Sequence, residues 1–234
     1  MSYFSAQFGL PFSTSQFQVV YAEGSRPPED YTGAAELREI SEVEWAHAMS
    51  PNAKIYLVEA TYDDLEFLTQ AIAVANNLIV CGQTTCDGGT GKGEIITSSA
   101  YPEESDETTC DQYFNTSGVV YFTAVGDEFY QPALQSSPGV TYPCASPNAV
   151  CVGGTGVTRN STTGSFMGEV AWQVPTGGES LYEPRPSFQN VISSIVGSAR
   201  GVPDVAIDAD PITGLWVWDS FQYQGEDYPS WYVV

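Results

Sequence analysis

The chain has 234 residues, 42% of them apolar, and 29 acidic against seven basic side chains give a formal net charge of -22. So strong a negative field repels phosphate backbones and anionic headgroups, which makes nucleic acid and membrane surfaces poor partners. No apolar run approaches the roughly 18–20 residues of a bilayer-spanning helix, and the length suits one domain around a single core.

In chain order, Met1 to Leu10 has neither a basic start nor a continuous apolar stretch, so it is not read as a signal peptide. Phe17 to Tyr21 reads as a strand. Ala34 to Met49 has helix-forming composition and stops before Pro51, which cannot continue a helix without losing a backbone bond. Lys54 to Ala60 reads as a buried strand. Asp63 to Asn76 reads as a helix with apolar positions at Leu65, Leu68, Ile72 and Ala75. Asp87 to Gly93 is a glycine-rich loop without the Gly-x4-Gly-Lys-Ser/Thr order that cradles phosphate. Glu94 to Ser98 and Val119 to Val125 read as further strands, separated by an acidic stretch from Glu103 to Cys110. Turn residues crowd Gly177-Gly178 and Pro184-Arg185-Pro186, and short strands follow near Pro203 to Asp208, Leu215 to Asp219 and Trp231 to Val234. This alternation of strands and helices predicts a largely parallel sheet with helices on both faces.

The five cysteines, Cys81, Cys86, Cys110, Cys144 and Cys151, are an odd number, so an oxidising compartment allows at most two pairs and leaves one thiol. Their spacings do not suit a zinc knuckle, and no metal centre is expected. Asn115-Thr116-Ser117 and Asn160-Ser161-Thr162 fit the glycosylation acceptor pattern, which matters only in a eukaryotic secretory route. His47 is the sole histidine. It lies within a predicted helix, where it reads as a satisfied core or boundary residue, and a lone imidazole leaves generic Ser-His-Asp or Cys-His catalysis without support.

The segment Glu44-Trp45-Ala46-His47-Ala48-Met49-Ser50-Pro51-Asn52-Ala53-Lys54-Ile55 resembles a helix and following strand of the sedolisin (serine-carboxyl peptidase) family. Four further blocks agree in order: Phe8-Gly9-Leu10-Pro11; Val125-Gly126-Asp127; Ser146-Pro147-Asn148-Ala149-Val150 with Val152-Gly153-Gly154-Thr155; and Pro203-Asp204-Val205 with Asp208-Ala209-Asp210-Pro211. The resemblance implies a subtilisin-like, mostly parallel α/β sheet with flanking helices, incomplete at both ends, and a secreted, extracellular endopeptidase working in acid. In that family a glutamate and an aspartate four residues later form the acid–base relay for a serine, and a second aspartate after a glycine supplies the oxyanion hole in protonated form.

Carried over by position, the helix aspartate falls on Glu42 and the relay glutamate on Arg38, whose guanidinium cannot accept a proton. Glu39 is adjacent, but neighbouring helical residues point about 100° apart, so it could replace Arg38 only after a local helix shift. Arg38 and Glu42 also fit a surface ion pair at i, i+4 spacing. Asp127 falls on the oxyanion aspartate, and reads equally as a turn aspartate bonded to backbone amides. The sequence stops at the strand that would precede the nucleophile's Gly-Thr-Ser turn. The family's serine and the calcium loop beyond it are therefore not in this sequence, and no cofactor is expected. These departures imply a chain inactive as it stands, with a peptide or protein ligand in a vestigial cleft. The alternatives are a non-catalytic secreted module that self-associates through exposed sheet edges, or a chain complemented by another polypeptide.

Overall fold

The structure is a computed structural model that describes residues 1–28, 34–103, 107–126, 140–172, 177–220, 222–223, 226–227 and 229–234. In chain order the elements are α1 (Ser2–Phe8), β1 (Phe17–Tyr21), α2 (Ala34–Met49), β2 (Ile55–Glu59), α3 (Leu65–Cys81), β3 (Gly93–Thr97), β4 (Tyr101–Pro102), β5 (Val119–Ala124), β6 (Thr141–Tyr142), β7 (Val150–Arg159), β8 (Phe166–Ala171), β9 (Gly178–Pro184), α4 (Ser193–Val196), β10 (Ala199–Val202), β11 (Val205–Asp208), β12 (Trp216–Asp219), β13 (Gln222–Tyr223), β14 (Glu226–Asp227) and β15 (Ser230–Val233). 3-10 turns occupy Thr14–Gln16, Glu107–Phe114 and Ser187–Ile192. The chain divides into two compact units, one of residues 1–62 with 211–234 and one of residues 63–210.

In the first unit β1 and β2 pair in parallel, Phe17 opposite Ile55 through Tyr21 opposite Glu59. β12 and β15 form an antiparallel pair, Trp216 opposite Val233 and Asp219 opposite Ser230. An aromatic cluster fills this unit. Tyr3 of α1 stacks on Trp218 with ring centres 4.0 Å apart, and Trp231 meets Phe8 and Trp218 edge-on. The indole N–H of Trp45 donates to the Trp216 carbonyl at 3.0 Å, which ties α2 to β12.

The second unit carries the main sheet, ordered β11-β7-β5-β3, with β8 pairing antiparallel to the far half of β7. All three neighbours along β11-β7-β5-β3 are parallel. α3 lays Leu68 and Ile72 into a core with Ile95, Phe114, Tyr121, Tyr142 and the Cys144–Cys151 disulfide. Asp64 caps α3, its carboxylate accepting the Phe67 N–H at 3.0 Å, and Gly82 ends it at φ +73° with its N–H on the Leu78 carbonyl. The helix runs five residues past the sequence expectation. Asn76, instead of stopping it, is buried and donates to the Tyr113 carbonyl while accepting from the Tyr121 hydroxyl.

The glycine-rich loop turns out to be a packing device. A Cβ on Gly89 would lie 2.1 Å from the Val80 carbonyl oxygen, and one on Gly91 would lie 2.0 Å from that of Ile79. The loop passes so close beneath the end of α3 that no side chain fits between them. Elements not expected from the sequence are α1, α4 and the strands β4, β6, β7, β8, β9, β10, β13 and β14.

Candidate functional site

The sequence places two of the expected site positions on α2. Glu36 sits in its first turn, favourable to the helix dipole, and the Ser50 N–H closes the last turn on the Ala46 carbonyl ahead of Pro51. Val43, Glu44 and His47 face inward and are buried. Arg38 is exposed, Glu39 and Glu42 are half-buried, and Oε1 of Glu42 is closed off from solvent. Four helical residues turn about 400°, so Arg38 and Glu42 share a face that Glu39 does not. The helix therefore sets a cation and a carboxyl group one turn apart on the same face.

Glu44 and His47 are what α2 buries most deeply, at 1% and 0% exposure. Glu44 accepts the Trp218 N–H at 2.8 Å and the Met1 amino group at 3.3 Å. Burial raises its pKa, these donors lower it, and the Asp219 charge raises it again, with the balance upward. His47 packs edge-on against Phe12, ring centres 5.6 Å apart. Burial lowers its pKa, the N-terminal charge lowers it further, and the nearby Pro11 carbonyl pulls the other way. Neither ring nitrogen closes a hydrogen bond of normal geometry. His47 is a core residue, set between the Phe12 ring and the Pro11 carbonyl.

Asp127 lies outside the described residues. The segment before it is described: β5 ends at Ala124, the Val125 N–H donates to the Val152 carbonyl at 2.9 Å, and Gly126 takes φ +82°. Ligands of open parallel sheets gather beyond the carboxyl ends of strands, and residue 127 follows such an end in the chain.

Two blocks singled out in the sequence prove to be neighbours in the sheet. Val205 of β11 pairs with Val152 of β7, and Asp208 with Thr155. Just before β11, Asp204 accepts the Cys151 N–H at 2.8 Å and takes Arg200 Nη1 at 2.6 Å and Nη2 at 2.5 Å. Arg200 is wholly buried and also reaches the carbonyls of Cys144 and Ala149. This buried ion pair clamps β7, β10 and the disulfide loop together, a structural role that a lone arginine in a glycine-rich stretch did not announce. Among the described residues, no group of three or more His, Cys, Asp or Glu is arranged to hold a metal ion.

The parallel-rich sheet with flanking helices places the chain in the subtilisin-like class of α/β folds. It is 34% identical over 99 residues to Sedolisin of Pseudomonas sp. (strain 101), covering 38% of this chain and 16% of that protein. It is 32% identical over 197 residues to Kumamolisin of Bacillus sp. (strain MN-32), covering 75% of this chain and 33% of that one. Xanthomonalisin of Xanthomonas sp. (strain T-22) is 36% identical over 96 residues, 33% of this chain and 11% of the relative. Among solved structures, Pseudomonas sedolisin (serine-carboxyl proteinase), complexed with two molecules of pseudo-iodotyrostatin, superposes with a TM-score of 0.70 at 25% identity. That match takes in 97% of this chain and 64% of the other. No protein-family model matches. The chain belongs to the sedolisin family, and it spans a third or less of the curated relatives it matches.

Proposed function

We propose that this chain is part of a serine-type endopeptidase domain of the acid-active sedolisin kind whose acid–base relay has been dismantled, so that it does not cleave peptides. The observation that carries this reading is Arg38. It stands one helical turn from Glu42 on the exposed surface of α2, and a guanidinium keeps its proton at every pH at which a serine would need a base. Glu42 preserves a carboxyl group at the second relay position and Asp127 preserves the oxyanion aspartate. The cleft is thus still able to hold a peptide or protein ligand. Two disulfides, Cys81–Cys86 and Cys144–Cys151, suit an oxidising, extracellular setting.

Incubation of the purified polypeptide with an unfolded protein from about pH 3 to about pH 7 tests this, with Asp127→Ala as the control. No hydrolysis is expected at any pH. Acid hydrolysis that disappears in Asp127→Ala would overturn the reading.

A second reading has its own observation. Among the described residues β11 is one edge of the main sheet and carries exposed Val205 and Ile207, and β8 exposes Phe166, Met167 and Val170. An uncovered apolar edge is a template for strand addition, which supports a module that associates with itself or with a complementing chain. Light scattering at rising concentration decides it: a monomer throughout contradicts self-association, and a salt-resistant dimer supports it.

A further inference from the structure

A short helical stretch in the unit of residues 63–210 turns its apolar side outward. The 3-10 turn Ser187–Ile192 runs directly into α4, Ser193–Val196. Phe188, Val191, Ile192 and Ile195 stand three and four residues apart, the spacing that gathers side chains on one face of a helix, and they are 54%, 90%, 38% and 73% exposed. Apolar residues at this spacing are what a helix ordinarily lays against its core. Here the core takes Gln189 and Val196 instead, at 4% and 7% exposure.

The stretch is held from beneath, so its exposure is built into the fold. Gln189 Nε2 donates to the Gly201 carbonyl at 2.7 Å and to Asp204 at 3.2 Å, and its Oε1 accepts the Gly201 N–H at 3.0 Å. Val196 sits on Gly201, where no Cβ would fit. Arg185 braces the far end, donating to the Asn190 side chain at 3.2 Å and to the Gly197 carbonyl. Phe188 is seated with the buried Arg200 guanidinium 5.5 Å from its ring centre. An apolar face fixed in this way loses little conformational freedom when it docks.

We propose that this face is a homodimer contact, in which the helical stretch of one copy packs against that of a second copy across a two-fold axis. An apolar face is its own complement under such an axis. Charge selects the place. At a formal net charge of -22 two copies repel over most of their surface, but from Pro184 to Pro203 the sequence holds no Asp or Glu. That acid-free window contains the exposed face. A strongly basic partner would be drawn to the acidic surface elsewhere, whereas a second copy finds its least repulsive approach here. The area is also sufficient. The four side chains expose roughly 500 Å² per copy, as much as the largest apolar patch of a typical monomer. Pairing two copies removes about 1,000 Å² from water, the lower bound for a specific interface, so the dimer is weak and forms at micromolar concentrations. The contact is separate from strand addition at β8 or β11 and does not depend on whether the chain cleaves peptides.

Sedimentation equilibrium of the purified chain from about 1 to about 200 µM reads the contact. Val191→Asp and Ile195→Asp each set a carboxylate on the face, and because both positions are exposed the fold is expected to survive, which circular dichroism checks. The wild type is expected to dimerise, each of these variants to weaken the dimer roughly tenfold or more, and Ile207→Asp on β11 to leave it unchanged. A wild type that stays monomeric overturns the contact and the self-association reading together. A dimer that survives Val191→Asp and Ile195→Asp overturns the contact alone, and its loss in Ile207→Asp would then leave strand addition standing. Loss of the dimer in all three variants overturns the contact too, since an added charge on either surface would then suffice.

Discussion

Arg200 shows how much a single side chain holds in this protein. Its guanidinium is wholly buried, and its two terminal nitrogens donate to Asp204, Gly201, Cys144 and Ala149. Removing one partner of such a pair strands a charge in the interior, which costs about 3–5 kcal/mol. Asp204→Ala is therefore expected to lower unfolding free energy by that amount in urea titration, and a loss below ~1 kcal/mol would show the pair to be dispensable. His47 makes the opposite kind of prediction. Its pKa is lowered in the fold, so the unfolded chain binds a proton more readily, and stability attached to the neutral imidazole is lost as pH falls below the ordinary value of 6.5. Comparing the pH profiles of thermal unfolding for wild type and His47→Leu isolates this term from Glu44, whose raised pKa acts in the reverse direction. The wild type should lose ground to the variant on acidification. Equal slopes would place a proton on folded His47.

At the scale of the element, α3 is the clearest case of local sequence agreeing with structure. Asp64→Ala removes the carboxylate that caps the Phe67 N–H, and is expected to cost about 1 kcal/mol by chemical denaturation. An unchanged midpoint would mean the cap is replaced by water. The start of this helix, its apolar positions and the strands β1, β2, β3 and β5 were legible because period and breaker residues act locally. Its end was not, because the partners of Asn76 are Tyr113 and Tyr121, 37 and 45 residues away along the chain. β8 and β9 were missed for a similar reason: their exposed Phe166, Met167, Leu181 and Tyr182 do not alternate with polar residues in the manner of a half-buried strand. Of the candidate site, Arg38 and Glu42 came from the resemblance to the sedolisin family, and the helix expected from Ala34 to Met49 is what sets them one turn apart.

Across the whole molecule, membership of the sedolisin family rests on blocks spread over nearly the whole chain, and the fold gives two of them a joint purpose where β11 lies along β7. The cysteines separate by burial. Cys144 and Cys151 are wholly buried in the core, whereas Cys81 and Cys86 lie at the end of α3 and are only half-buried, and Cys110 is outside both disulfides. Graded reduction with alkylation and mass mapping is expected to label Cys110 without reductant, Cys81 and Cys86 next, and Cys144 and Cys151 only on unfolding; simultaneous labelling of all four paired cysteines would contradict this burial order. The proposed loss of the relay at Arg38 is open to test on the polypeptide as its natural source produces it, whatever its length. Hydrolysis of an unfolded protein by that material is measured from about pH 3 to about pH 7. If Arg38 holds the proposed relay position, no turnover above a heat-inactivated control is expected. Acid-dependent turnover with Arg38 in place would mean that another group takes the serine's proton, and the dismantled relay would have to be abandoned.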